Sequence, residues 1–168
     1  TEKVSSFHNS LTLGISQGMN IEQIIETIYS TLNVPVLIQD LSFNTHQYVG
    51  LTEEEFDLLA EDFARQMPQT RSGKILIQPI DPMHAIQVDC PNHTRLISPI
   101  TVHQQIIGYI SFIYLSKDHN FKEEMNYVQR SAVCISLWHL NEKSSLEAIE
   151  NIKAFLFEQL LQQQYTSK

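Results

Sequence analysis

The fold is decided by residues 95–115, which read RLISPITVHQQIIGYISFIYL. Both halves of this stretch are rich in β-branched and aromatic residues, which favour strands. The polar triplet His103-Gln104-Gln105 separates them, so the pattern predicts a β-hairpin of strands 95–102 and 106–115. Both alternating sets of positions in the second strand are mostly apolar. Such a strand lies inside a sheet with other elements packed on each face.

Weaker signals place further elements around this hairpin. Asn20 predicts the start of one helix, and Thr52 with Glu55 forms a capping box that predicts the start of another. Apolar residues at helical spacing predict helices over residues 4–16, 20–33, 52–68 and from 120 onward. Aliphatic segments bounded by breakers predict strands over residues 36–41, within 43–50, and over 74–80 and 85–90.

The last part of the chain predicts a separate helix with an uncovered apolar stripe. Ser144-Ser145-Leu146-Glu147 has the form of a capping box, which predicts a joint near residue 143. The stripe of the following helix has no element left in this chain to cover, so a second copy is the expected partner. The alternative is that the helix packs back onto the sheet. The stripe consists of Leu146, Ile149, Ile152, Leu156 and Leu160.

Composition and charge narrow the classes of function. Of the 168 residues, 42% are hydrophobic and 18% are charged, which is typical of one globular domain with an appended helix. A net charge of −8 without a basic run makes this chain a poor binder of nucleic acid phosphates. It has two cysteines, no CxxC motif and no apolar signal segment or membrane span. We therefore expect a cytoplasmic protein without membrane contact.

Three segments in the second half resemble the closing third of GAF domains. They are residues 98–102 (SPITV), 106–110 (IIGYI) and 121–125 (FKEEM), the last opening a helix with a phenylalanine. The resemblance implies an α+β fold with a GAF/PAS-like central antiparallel sheet of five to six strands. It places the N-terminal helices and the long C-terminal helix on one face. It also implies a binding and dimerisation module rather than an enzyme.

Residues 151–161 (NIKAFLFEQLL) are similar to the linker helix after the GAF-like domain of PucR/CdaR-type bacterial transcriptional regulators. This implies a sensor domain over residues 1–143 and a signalling helix over 144–168, followed by a DNA-binding region that this chain lacks. We therefore expect the regulatory domain of a cytosolic bacterial transcription factor. It would bind a small-molecule effector, form a homodimer through its terminal helices and carry no cofactor. The alternative is a structural dimerisation module without a ligand.

An effector pocket is expected on the sheet face opposite the helices, under residues 43–67 and 74–92. Arg95, at a strand start, is suited to hold a carboxylate or phosphate in a bidentate pair; otherwise it is a solvated edge residue. Ser98 and Ser111 are polar residues in apolar strands. Each either satisfies a backbone group or faces a ligand.

Three further candidates complete the predicted pocket. Asp89 is suited to bind an amine or a ribose hydroxyl, although a loop carboxylate is commonly just solvated. Phe56 and Phe63, together with Leu59, would supply an apolar wall. The alternative for these residues is plain core packing.

Metal and thiol chemistry have weaker support. His84, Cys90 and His93 lie within ten residues and are ligand types for zinc or iron, but no pair has the helical i, i+4 spacing and no CxxC motif occurs. We therefore predict no metal site. Cys90 is either a redox switch or a buried, inert thiol, and Cys134 is expected in the core. The clustered cysteines of methionine-sulfoxide-reducing GAF domains and the Cys-His pair of bilin-binding ones are both missing.

Overall fold

The computed structural model describes residues 2–66, 84–116 and 120–166, with side chains described as far as residue 163. The helices are α1 (Glu2–Ser16), α2 (Ile21–Leu32), α3 (Glu53–Gln66) and α4 (Lys122–Thr166). The strands are β1 (Val36–Gln39), β2 (Thr45–Val49), β3 (Ile86–Asp89), β4 (Thr94–Val102) and β5 (Gln105–Tyr114). The strand expected over residues 74–80 lies outside the described residues.

The strands form one antiparallel sheet in the order β2-β1-β5-β4-β3, which confirms the predicted fold class and the central place of β5. His103 and Gln104 join β4 to β5, and their φ angles of 51° and 65° have the positive sign that a type I′ turn requires. A β-carbon at Gly108 of β5 would lie 2.7 Å from the carbonyl oxygen of Gln39. Glycine at this point therefore lets β1 pair closely with β5.

Alternate residues of the central strands face two different layers. Leu96 of β4 and Phe112 of β5 belong to the main core, which they share with α1, α2 and α4. The N-terminal helices and the long C-terminal helix thus lie on one face, as predicted. Ile97 of β4 and Ile113 of β5 point to the opposite face, where α3 packs.

Capping side chains fix where α2 and α3 begin. The Asn20 side chain accepts from the backbone N–H of Gln23 at 2.8 Å, and the Gln23 side chain accepts from the N–H of Asn20 at 3.0 Å. Thr52 and Glu55 make the same reciprocal pair at 3.2 and 3.0 Å. These bonds satisfy N–H groups that lack a partner within the helix, so both predicted starts are confirmed.

The predicted joint near residue 143 is wrong, because α4 runs without interruption for 45 residues. Ser144 and Ser145 lie inside the helix. No Gly or Pro occurs between residues 122 and 166, and two serines in a helix cost only a few tenths of a kcal/mol each. The side chains of residues 141–163 are all exposed. Within the described residues, no helix combines the length and apolarity that crossing a membrane requires.

Candidate ligand site

Aromatic rings fill the middle of the sheet face beneath α3. The ring centroid of Phe43 lies 4.3 Å from that of Tyr109 on β5 and 5.7 Å from that of Phe63 on α3. Beside them, Ser111 donates a hydrogen bond to the side-chain oxygen of Gln39 at 2.8 Å. Ser111 therefore satisfies a neighbouring side chain at the point where a ligand was expected.

Arg95 ties β4 to α3 from inside the protein, with only 1% of its surface exposed. Its guanidinium carbon lies 4.1 Å from the centroid of the Phe63 ring. One terminal nitrogen donates to the carbonyl oxygen of Leu59 at 3.1 Å, and Nε donates to Nε2 of His93 at 2.9 Å. Burial lowers the pKa of Arg95 to about 10, against the opposing influence of Cys90 and Asp62. The side chain is therefore charged at neutral pH.

His93 bridges this arginine to a carboxylate on α3. Its Nδ1 lies 2.7 Å from Oδ2 of Asp62, and both side chains are buried. Because a guanidinium only donates and a carboxylate only accepts, His93 accepts at Nε2 and donates from Nδ1–H, which is the neutral imidazole. The result is a buried chain of Asp62, His93 and Arg95 that joins α3 to the start of β4.

Asn92 completes the environment of Asp62. Its backbone N–H donates to Oδ2 of Asp62 at 2.9 Å and its side-chain amide donates to Oδ1 at 3.0 Å. Burial raises the pKa of Asp62, but these bonds and the one from His93 outweigh it and hold the pKa below its usual value. The carboxylate is therefore ionised at neutral pH.

Acidification is expected to remove the stability that Asp62 contributes. Because its folded pKa lies below the reference value of 3.8, this contribution is complete above that pH and is lost as the pH falls through the folded pKa. Asp62→Asn should be less stable than the wild type at pH 7, and the difference should shrink on acidification. Urea unfolding between neutral pH and about pH 3 measures it. Asp57→Asn, at an exposed position of α3, is the control. A stability difference between Asp62→Asn and the wild type that does not change with pH would contradict the prediction.

A cavity of about 690 Å³ lies at the end of this face, where α3 meets the start of β1 and the end of β5. Leu51, Leu59 and Ile113 contribute apolar surface, whereas Asp62 and Asn92 contribute polar groups. The volume is within the range of small-molecule sites. The cavity therefore adjoins the buried chain at Asp62 and lies on the predicted face.

The structure separates the strand residues that were predicted to share one pocket. Ser98 lies on the opposite face from Arg95 and Ser111, next to residues of α4 such as Gln129 and Arg130. The reason is the two-residue period of a strand, which sends positions 95 and 98 to opposite sides. Expecting Arg95, Ser98 and Ser111 to line one pocket was therefore wrong.

The other predicted site residues are also occupied by contacts within the protein. Asp89, exposed on β3, accepts from the side chains of Gln87 at 2.9 Å and Thr94 at 3.2 Å. Phe56 is half-buried and stacks on Tyr48 with 4.5 Å between ring centroids. Phe63 lies beneath Arg95. Of the six predicted residues, none lines the 690 Å³ cavity.

The residues that sequence reasoning missed are Asp62, Asn92 and His93. Asp62 occupies a buried position between Leu59 and Phe63 on the inner face of α3. A carboxylate in that apolar stripe is a signal of a buried partner, because buried charges are paired. His93 precedes Arg95 by two residues and therefore shares its face of the sheet.

Asp62, Cys90 and His93 bring their ligand-type atoms within 4.8 Å of one another. Both ring nitrogens of His93 are engaged, one by Asp62 and the other by the cation Arg95. A metal ion would have to displace one of these partners and would lie beside a positive charge. The geometry therefore favours a hydrogen-bonded network over a metal centre.

The thiols of Cys90 and Cys134 are both buried, and burial raises the pKa of Cys134 to about 11.

A scan against protein-family models found no match, and neither did a search of curated proteins. Among solved structures, the GAF domain of an Acinetobacter phosphoenolpyruvate-protein phosphotransferase aligns over 86% of this chain and 96% of that domain, with 9% identity and a TM-score of 0.52. The phycoerythrobilin-bound GAF domain of a cyanobacterial phytochrome aligns over 83% and 97%, with 15% identity and a TM-score of 0.41. The alignment with the Acinetobacter domain shows that the chain has a GAF-like fold, as its sequence predicted.

Proposed function

We propose that this domain senses a small molecule bound in the cavity between α3 and the sheet. The cavity of about 690 Å³, with apolar walls and the ionised Asp62 at its side, is the observation that supports this role. Binding there would stabilise one position of α3 relative to the sheet. No chemical step is assigned to these residues, and we propose a binding module rather than an enzyme.

The signal would pass from α3 to α4 through a single strand. Arg95, on the α3 face of β4, holds the carbonyl of Leu59 and, through His93, the carboxylate of Asp62. The next residue, Leu96, faces the core that β4 shares with α4. A shift of α3 would thus be transmitted across β4 to the base of the long helix.

The wider setting that we propose is a cytosolic bacterial transcriptional regulator of the PucR/CdaR type. The exposed length of α4 over residues 141–163 would pair with a second copy of the chain and carry the signal to a DNA-binding region outside this sequence. The acidic net charge of −8 supports assigning DNA contact to another region.

The proposal is tested by thermal unfolding with a panel of purines, amino acids, amines, diacids and nucleotides. A true ligand at 100 times its dissociation constant stabilises by about 2.7 kcal/mol, which raises the midpoint by about 5–10 °C. Leu58→Trp, which adds bulk to an exposed residue of the cavity lining, should abolish the shift. Leu41→Trp, at a similarly exposed leucine outside that lining, should leave it intact.

A structural dimerisation module without a ligand is the second candidate. The stacked Phe43, Phe63 and Tyr109 fill the centre of the α3 face, which favours a packed rather than an open face. Under this alternative the panel gives no shift, whereas self-association through α4 persists. A midpoint shift that Leu58→Trp does not reduce would locate the ligand elsewhere on the domain.

A further inference from the structure

The cavity beside α3 has an excess of negative charge among its described residues. Three carboxylates, those of Glu55, Glu61 and Asp62, line it together with the guanidinium of Arg65. The buried guanidinium of Arg95 lies behind Asp62, outside the lining, so the carboxylates outnumber these cations by three to two. Hydrogen bonds from the backbone and hydroxyl of Thr52 hold the pKa of Glu55 below its usual value, and the carboxyl of Asp62 is likewise ionised. An anion entering the cavity would meet a net repulsive lining, whereas a cation would meet an attractive one.

Asp62 also keeps a free acceptor position within the described part of the chain. Its two carboxylate oxygens offer about four acceptor positions. Oδ2 accepts from the backbone N–H of Asn92 and from Nδ1–H of His93, whereas Oδ1 accepts, among the residues that the structure describes, only from the side-chain amide of Asn92. Because Asp62 lines the cavity, a ligand N–H group there is placed to donate to Oδ1.

The remaining lining sets the character of the ligand's body. Leu51, Leu59 and Ile113 belong to a small apolar cluster at the base of α3. Leu58 and Leu115 line the same cavity and are otherwise exposed, at 67% and 72% of their surface. An apolar ligand would bury surface that these side chains now expose to water.

We infer that the cavity binds a molecule with an apolar body and a basic nitrogen, an amine or amidine whose N–H group donates to Asp62. This inference rests on the proposed function, since it names the chemical class of the ligand at the same site. The inference excludes carboxylates and phosphates as effectors. The sequence favoured such anions because Arg95 was expected to lie open at a strand start, whereas its side chain is buried.

The test compares three probes with the same indole body: tryptamine, tryptophol and indole-3-propionate. Methyl NMR spectra of Leu51, Leu59 and Ile113 report binding in the cavity, even at millimolar affinity. Tryptamine is expected to bind at least about tenfold more tightly than tryptophol and indole-3-propionate.

A charge reversal checks that the cavity lining sets this preference. Glu61→Lys changes an exposed residue of the lining and should weaken tryptamine binding by about 3–10-fold. Glu147→Lys, on the exposed part of α4, makes the same change in net charge away from the cavity and should leave the affinity unchanged. Neither residue belongs to the buried chain that holds α3, so both variants are expected to fold.

Equal binding of the three probes, tighter binding of indole-3-propionate, or an equal effect of the two lysine variants would overturn the inference. Each of these outcomes still shows a ligand in the cavity and leaves the proposed sensing function standing. If no probe moves the cavity methyl signals, the inference also fails. The proposed function fails as well only if the metabolite panel gives no midpoint shift.

Discussion

Replacing Arg95 by alanine is expected to lower the free energy of unfolding by about 3–5 kcal/mol. The substitution removes two hydrogen bonds to Leu59 and His93 and the cation above the Phe63 ring. It leaves the buried carboxylate of Asp62 without its nearby positive charge, and unpaired buried charges are among the costliest defects in a folded protein. Urea denaturation at neutral pH measures the loss.

Two further variants separate charge from packing at this position. Arg95→Met keeps an apolar stem over Phe63 but has no donor, so its loss should lie between zero and that of alanine. Arg65→Ala removes an exposed arginine of the cavity lining and should change stability by no more than about 0.5 kcal/mol. An Arg95→Ala variant as stable as Arg65→Ala would show that the buried chain does not hold α3.

The parts of the fold that follow from short-range chemistry could be predicted from the sequence. The hairpin of β4 and β5 was predicted because alternation and β-branched residues act locally and His103 with Gln104 adopts the turn. The capping boxes at Asn20 and Thr52 involve residues only three positions apart. The same rule failed at Ser144, because helix-forming residues on both sides continue the helix past a capping pattern.

The site could not be predicted to the same extent, because its contacts are distant in sequence. Asp62 and His93 are 31 residues apart, and only the packing of α3 on the sheet brings them together. Arg95 was expected at a ligand or in solvent because arginine is seldom buried. The position of Asp62 in the apolar stripe of α3 indicates a buried partner, but nothing local to either residue shows that His93 links them. The two-residue period of β4 sends Ser98 and Arg95 to opposite faces of the sheet, so one pocket could not contain both side chains.

The exposed half of α4 is expected to hold two copies of the chain together. Its apolar side chains at Leu146, Ile149, Leu156 and Leu160 are exposed over 62%, 49%, 54% and 61% of their surface, respectively. They follow the spacing of alternating a and d positions of a heptad repeat, with Lys153 at one a position. A stripe of this kind is unstable in water without a partner, and a polar residue at one a position fixes the register of a coiled coil.

Ile149→Glu combined with Leu156→Glu is therefore expected to raise the dimer dissociation constant by at least about 100-fold, since both substitutions place charge at buried d positions. Sedimentation equilibrium over a concentration series measures this change. Ala148→Glu combined with Asn151→Glu adds the same two charges outside the a and d positions and should leave the dimer intact. Loss of association in both double variants would point to general charge repulsion. If the wild-type chain sediments as a monomer at all concentrations, α4 does not pair with a second copy of this chain and needs a different partner. Signalling through a pair of α4 helices would then be excluded for the chain of residues 1–168 by itself.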